Sequence, residues 1–225
     1  MKCTAGISGD TWIMRVVDYE PQHVPLLEGA WFEAVGEAYE KHYPLEAGAD
    51  DTWYRDLAYV EQVGRNFAEL GPEMFERRFD WEASMLELAR RLDTAGIEWA
   101  ILGSVSEAVQ GALVSPHDLD IVVDTEDFGR TKQLLADVTV EPFVDNKGNW
   151  LVRYFGRLCV LGAMVDLVAD EKMNPSTAVE RYVAVSWRGL ELRVEPLAVR
   201  LAVEQQRGRS DRIRAIEDVL ECSQS

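Results

Sequence analysis

Apolar positions recur with helical period over Glu82–Ala95, where Met85, Leu86, Leu88, Ala89 and Leu92 share one side and Gly96 follows as a stop. Ile97–Leu102 (IEWAIL) then reads as a buried strand running into Gly103-Ser104. Ser104 and Glu107 fit an S-x-x-E capping box for a helix over Val105–Gly111. The β-branched run in Asp118–Asp124 (DLDIVVD) predicts a second strand, and Thr125-Glu126-Asp127 opens a helix to Asp137 with acidic residues in its first turn. Thr139–Val144 and Trp150–Phe155 flank the turn-rich Asp145–Asn149, which predicts a hairpin. Met164–Ala169 is a further strand, and Tyr182–Trp187 with Leu190–Val194 forms a last hairpin about Arg188-Gly189. Helical sequence closes the chain from Pro196 to Arg207 and from Arg209 to Leu220.

The first part of the chain patterns differently. Thr11–Asp18 fits a short strand, whereas Leu27, Trp31, Val35 and Ala38 lie at helical spacing within Val24–Tyr39. Glu46–Asp51 is an acidic Gly/Ala-rich loop, and Thr52–Leu70 is helical again until Gly71-Pro72 stops it. The expectation is α+β: residues 1–80 as a mainly helical, acidic extension, and residues 81–225 as a mixed sheet with helices packed on it and helices at its carboxyl end. Trp12, Trp31, Trp53 and Tyr54 either line a binding surface or fill the core of the extension, and aromatics at such spacing are more often core.

Charge narrows the partners. The 225 residues carry a formal net charge of −17, and residues 1–80 hold sixteen Asp and Glu against seven Lys and Arg. Such a balance argues against nucleic acid or an anionic membrane as the partner, because both demand a basic surface. The N-terminus has no continuous apolar run, and no stretch approaches the roughly 18 apolar residues of a membrane span. Cytoplasmic residence is the expectation. Cys3, Cys159 and Cys222 are widely spaced without a C-x-x-C, and His23 and His42 belong to no ligand spacing.

The chemistry concentrates between Ile101 and Asp124. In a strand, Asp118 and Asp120 project to one face while Leu119 and Ile121 project to the other. Two like charges so close repel, and a metal cation is the usual reason for keeping both ionised. Asp166, between Val165 and Leu167 in another strand, is costly to bury unless it faces a cleft, solvent or a cation, so it is the candidate third ligand. Asp124 lies on the same face at the strand end, where capping accounts for it. Ser104 is explained by its cap alone, yet a helix N-terminus is also an anion site, and the two readings are compatible.

Taken together, Leu102-Gly103-Ser104, thirteen intervening residues, Asp118-Leu119-Asp120-Ile121 and the later Asp166 resemble the nucleotidyltransferase superfamily that shares the polymerase β-like fold. Within about Glu82–Leu220 the layout looks most like small bacterial members: antibiotic, minimal and AbiEii-type nucleotidyltransferases. The tail, Trp187-Arg188-Gly189-Leu190 and then Val194-Glu195-Pro196 leading to Arg209-Ser210-Asp211, is similar to their Gly-hairpin and R-x-K-D ending. The resemblance implies Mg²⁺ or Mn²⁺ on Asp118, Asp120 and Asp166, with Asp166 either a proton acceptor or only a ligand, and a nucleoside triphosphate donor cradled by Gly103 and Ser104. The implied acceptor is a hydroxyl of a small molecule, such as an antibiotic; a non-catalytic nucleotide- or partner-binding protein and a toxin-type enzyme acting on tRNA or protein are the alternatives. Two departures stand out. Ser115-Pro116-His117 replaces the Thr or Arg that many relatives place before D-x-D, and Glu204 stands near the place of a Lys, with Arg200 or Arg207 as substitutes.

Overall fold

The computed structural model describes residues 1–44, 56–75, 80–145, 154–170 and 181–222. Two sheets organise them. The amino-terminal one is antiparallel, with β1 (Lys2–Ser8), β2 (Thr11–Val17), β3 (Glu33–Val35) and β4 (Ala38–Pro44) in the order β1-β2-β4-β3. Helix α1 (Val24–Gly29) connects β2 to β3, and α2 (Leu57–Phe75) follows β4 in the chain. The larger sheet is mixed, in the order β10-β11-β5-β6-β9-β8-β7. Its strands are β5 (Trp99–Leu102), β6 (Leu119–Asp124), β7 (Thr139–Asp145), β8 (Tyr154–Val160), β9 (Ala163–Asp170), β10 (Val183–Trp187) and β11 (Leu190–Val194). Its helices are α3 (Trp81–Ala95), α4 (Gly103–Val109), α5 (Phe128–Leu134), α6 (Leu197–Arg207) and α7 (Ser210–Cys222). The class is α+β, as the patterning predicts.

Several expectations change. The first forty-four residues are not mainly helical: the helix predicted over Val24–Tyr39 ends at Gly29, Trp31 adopts a φ of 67°, and β3 and β4 follow. The apparent helical stripe does not exist as a buried face, since Trp31 is 79% exposed and Val35 is exposed as well. Pairing with β2 along its whole length makes a strand of the small-residue segment Lys2–Ser8, and that long-range partner leaves no mark on local periodicity. Helix α2 continues past Gly71-Pro72 to Phe75, so Pro72 lies inside its last turn at the cost of one intrahelical hydrogen bond. Trp53 and Tyr54, the acidic loop, and most of the turn predicted at Asp145–Asn149 lie outside the described residues. Trp12 belongs to the core.

Helix α2 ties the two sheets together. Its Val60, Val63 and Phe67 pack with Trp12, Met14 and Val16 of β2 and with Val140 and Val144 of β7 in one buried cluster. At Gly64 the helix approaches β1 so closely that a Cβ would stand 2.9 Å from the Ala5 nitrogen, so any side chain there forces the elements apart. Asn66 pins the other side, donating at 2.8 Å to the carbonyls of both Ala136 and Thr139. The main core lies on the opposite flank of the large sheet, where Leu119, Ile121 and Val123 of β6 meet Met85, Leu88 and Leu92 of α3, Val105 of α4 and Phe128 of α5. Asp80 starts α3 by accepting from the Glu82 and Ala83 N–H groups, and Gly96 ends it in the left-handed conformation. No helix among the described residues is long and apolar enough to cross a membrane.

Candidate functional site

The apolar face of β6 fixes where its acids go. With Leu119, Ile121 and Val123 committed to the core, the alternating Asp120 is turned to the other flank, beside Leu102 and Asp166. The strand registers then line up one row across five strands: Leu102 of β5, Asp120 of β6, Asp166 of β9, Arg157 of β8 and Glu141 of β7. In-register neighbours in a sheet point to the same face, so four charged side chains stand in file. Asp118 immediately precedes β6, two residues before Asp120.

The acids are placed against their own repulsion. Burial, and then the charges of Asp118 and Asp166, push the Asp120 carboxyl up to about 7. The Asp118 carboxyl is also raised, by burial first and by Asp166 next, with Arg212, His117 and Arg157 opposing. Such pairs of crowded carboxylates are what a cation relieves. Among the described residues no three His, Cys, Asp or Glu side chains already form a metal-ligating cluster. The third carboxylate has a different partner: Arg157 grips Asp166 through Nε–Oδ1 at 2.7 Å and Nη2–Oδ2 at 3.1 Å. The same guanidinium donates from Nη1 to Glu141 at 2.7 Å. Glu141 in turn receives the Tyr43 hydroxyl at 2.7 Å and the Lys41 ammonium at 2.5 Å, both from β4.

The turn after β5 is built to approach Asp120. Gly103 has a φ of 61°, and a Cβ there would lie 2.1 Å from Asp120 Oδ2. Glycine takes this conformation without steric cost and alone leaves this space. Ser104 does not cap α4 as its sequence predicts: the helix begins two residues earlier, at Gly103, Leu102 occupies the cap position without a side-chain bond, and Glu107 is turned inward. The buried Ser104 hydroxyl has no hydrogen-bond partner among the described residues. Asp124 caps the next turn by accepting from the Glu126 N–H at 2.8 Å.

Behind the turn, Arg200 of α6 is almost wholly buried and reaches Glu107 at 2.9 Å, Glu195 at 3.2 Å and Glu204 at 2.5 Å. Arg209 also meets Glu204 at 2.5 Å, and Arg212 stands 3.9 Å from Glu107 and 4.0 Å from Glu204. Arg200, which the sequence offered as a substitute for the missing Lys, is therefore spent on glutamates, and Arg207 is exposed.

No family model matches the chain, and no curated protein matches it in sequence. Among solved structures, a protein classed as a nucleotidyltransferase from Thermotoga maritima superposes with a TM-score of 0.50 at 21% identity, covering 63% of this chain and 92% of its own. The chain has a nucleotidyltransferase fold. Two weaker likenesses are the lincosamide antibiotic adenylyltransferase LnuA with lincomycin bound and an antigenic nucleotidyltransferase-like protein from Paracoccidioides brasiliensis. The first has a TM-score of 0.49 at 11% identity over 61% of this chain and 97% of its own. The second has a TM-score of 0.39 at 18% identity over 60% and 72%. Within this nucleotidyltransferase fold, Gly103, just past β5, abuts Asp120 near the start of β6, which is in register with Asp166 in the middle of β9.

Sequence reasoning missed Arg157, Glu141, Lys41 and Tyr43. The rule that singled out Asp166, a charge between apolar neighbours in a strand, applies equally to Glu141 in Val140-Glu141-Pro142-Phe143 and to Arg157 in Phe155-Gly156-Arg157-Leu158.

Proposed function

We propose that this protein is a divalent-cation-dependent nucleotidyltransferase, moving a nucleoside monophosphate from a triphosphate to a hydroxyl of a small acceptor. The observation that supports it most is the abutment of Gly103 on Asp120: a glycine turn with no room for a side chain meets a carboxylate raised by burial and by its acidic neighbours, and the next residue, Ser104, has a buried hydroxyl with no partner among the described residues. Asp118 and Asp120 are the residues that would hold Mg²⁺ or Mn²⁺. When bound, the cation supplies charge neutralisation for the triphosphate and for the oxygens around the reacting phosphorus.

The chain's own groups do the rest. The bare Gly103 backbone and the Ser104 hydroxyl offer donors to phosphate oxygens without an intervening side chain. Asp166, oriented by two hydrogen bonds from Arg157, is the group placed to align the acceptor hydroxyl and accept its proton. The net charge of −17 favours a small neutral or cationic acceptor over a polyanion. A second reading, a nucleotide-binding protein without turnover, draws on one observation: each nitrogen of the buried Arg200 is engaged by a carboxylate, of Glu107, Glu195 or Glu204.

Incubating the protein with each α-labelled triphosphate, Mg²⁺ or Mn²⁺ and a panel of small hydroxylated acceptors separates the readings. Transfer of label with stoichiometric pyrophosphate release is expected, with no release when Asp118 is replaced by Asn. Cation-dependent nucleotide binding without pyrophosphate across the panel would favour the second reading.

A further inference from the structure

The row Glu141–Arg157–Asp166–Asp120 alternates in sign until its last step. Lys41 and Arg157 stand on the two oxygens of Glu141, and Arg157 stands on both oxygens of Asp166, so positive and negative groups alternate from β4 to β9. Between Asp166 and Asp120 the alternation breaks, with two acids side by side in register. Lys41, Glu141, Arg157 and Asp166 neutralise one another. The charge left over is that of Asp118 and Asp120, which one divalent cation would balance.

The arginine is built in. Glu141, which holds it, is 1% exposed and has a register shift on either side of it in β7, which re-aims that single side chain toward Arg157. Burial opposes the Arg157 charge, but Glu141 and Asp166 outweigh burial and hold its pKa above the ordinary arginine range. A guanidinium bonded through two nitrogens to one carboxylate takes one lone pair on each Asp166 oxygen and sets a positive charge where a chelated cation would sit.

We propose that Arg157 supplies at Asp166 the positive charge that a second divalent cation would otherwise bring, so that the site takes one cation, on Asp118 and Asp120, and not two. The amino-terminal sheet is thereby part of the site, because Lys41 and Tyr43 of β4 complete the shell of Glu141 that fixes Arg157. This rests on the nucleotidyl-transfer reading, yet it differs from that reading in what it predicts for metal alone.

The test is a Mn²⁺ titration of the full chain, followed by the electron paramagnetic resonance signal of the free ion. One bound equivalent is expected for the native protein, two for Arg157→Gln, and one again for the double variant Arg157→Gln with Asp166→Asn. A purely structural role for Arg157 would leave that count unchanged. Two equivalents in the native protein, or one in a folded Arg157→Gln variant, overturn the proposal and leave nucleotidyl transfer standing. No bound Mn²⁺ at all overturns both. Should Arg157→Gln fail to fold, the native count decides: one equivalent supports the proposal and two overturn it.

Discussion

Replacing Asp120 by Asn raises the unfolding midpoint of the metal-free protein, and the gain depends on pH. The direction follows from linkage. Burial beside Asp118 and Asp166 lifts the folded-state pKa of Asp120 to about 7, so between the ordinary aspartate range and pH 7 the folded chain holds a proton that the unfolded chain releases. Stability therefore falls as pH rises through that window and levels off above it. At about 1.4 kcal/mol per tenfold the ceiling is ~4 kcal/mol, and because the side chain is partly exposed, a gain of about 2 kcal/mol for Asp120→Asn at pH 8 is the expected size. Near pH 4 the native protein and the variant should unfold together. Chemical denaturation of both proteins in chelator at pH 4, 6 and 8 gives the measurement, and a variant less stable than the native protein at pH 8 would mean that Asp120 is paired within the fold instead of awaiting a cation.

Arg200→Met has the opposite sign and a larger effect. The guanidinium is buried, which disfavours its charge, but its hydrogen bond to Glu107 and the fields of Glu195, Glu107 and Glu204 hold its pKa above the usual value. Glu107 and Glu204 are fully buried, so removing Arg200 takes from Glu107 its hydrogen-bonded partner and from Glu204 one of two close arginines. Breaking one partner out of a buried charge network costs about 3–5 kcal/mol. Arg209 remains on Glu204, which places the expectation at the lower end, about 3 kcal/mol at pH 7 by urea unfolding. Adding Glu107→Gln and Glu204→Gln to Arg200→Met should recover most of that loss, since no buried charge then remains unpaired at α4. A loss below about 1 kcal/mol would show that the network contributes no more than a surface pair does.

What the sequence made legible was local chemistry. Glycine at 103, the D-x-D beginning at Asp118 and the lone Asp166 each stand in a strand or turn whose period can be read within ten residues, and the fold sets Gly103 against Asp120 and Asp120 in register with Asp166. Glu107 shows the limit of that reasoning. Its spacing from Ser104 matches a capping box, but the helix starts at Gly103, and Glu107 turns inward to an arginine 93 residues away in sequence. Lys41 and Tyr43 lie about a hundred residues from Glu141, and their β-strand forms because β2 offers six residues of pairing edge, a property of register that no local period encodes. Arg157 joins the site for the same reason: it is brought opposite Asp166 by the β8–β9 register.

Cation-dependent nucleotide binding tests the central claim without knowledge of the acceptor. Titrating labelled triphosphates into the native protein with Mn²⁺ or with chelator, alongside Asp118→Asn, should show binding that appears only with the cation and disappears in the variant. Nucleotide binding of equal strength in chelator, or unchanged in Asp118→Asn, would contradict the account of Asp118 and Asp120 as the cation-holding pair.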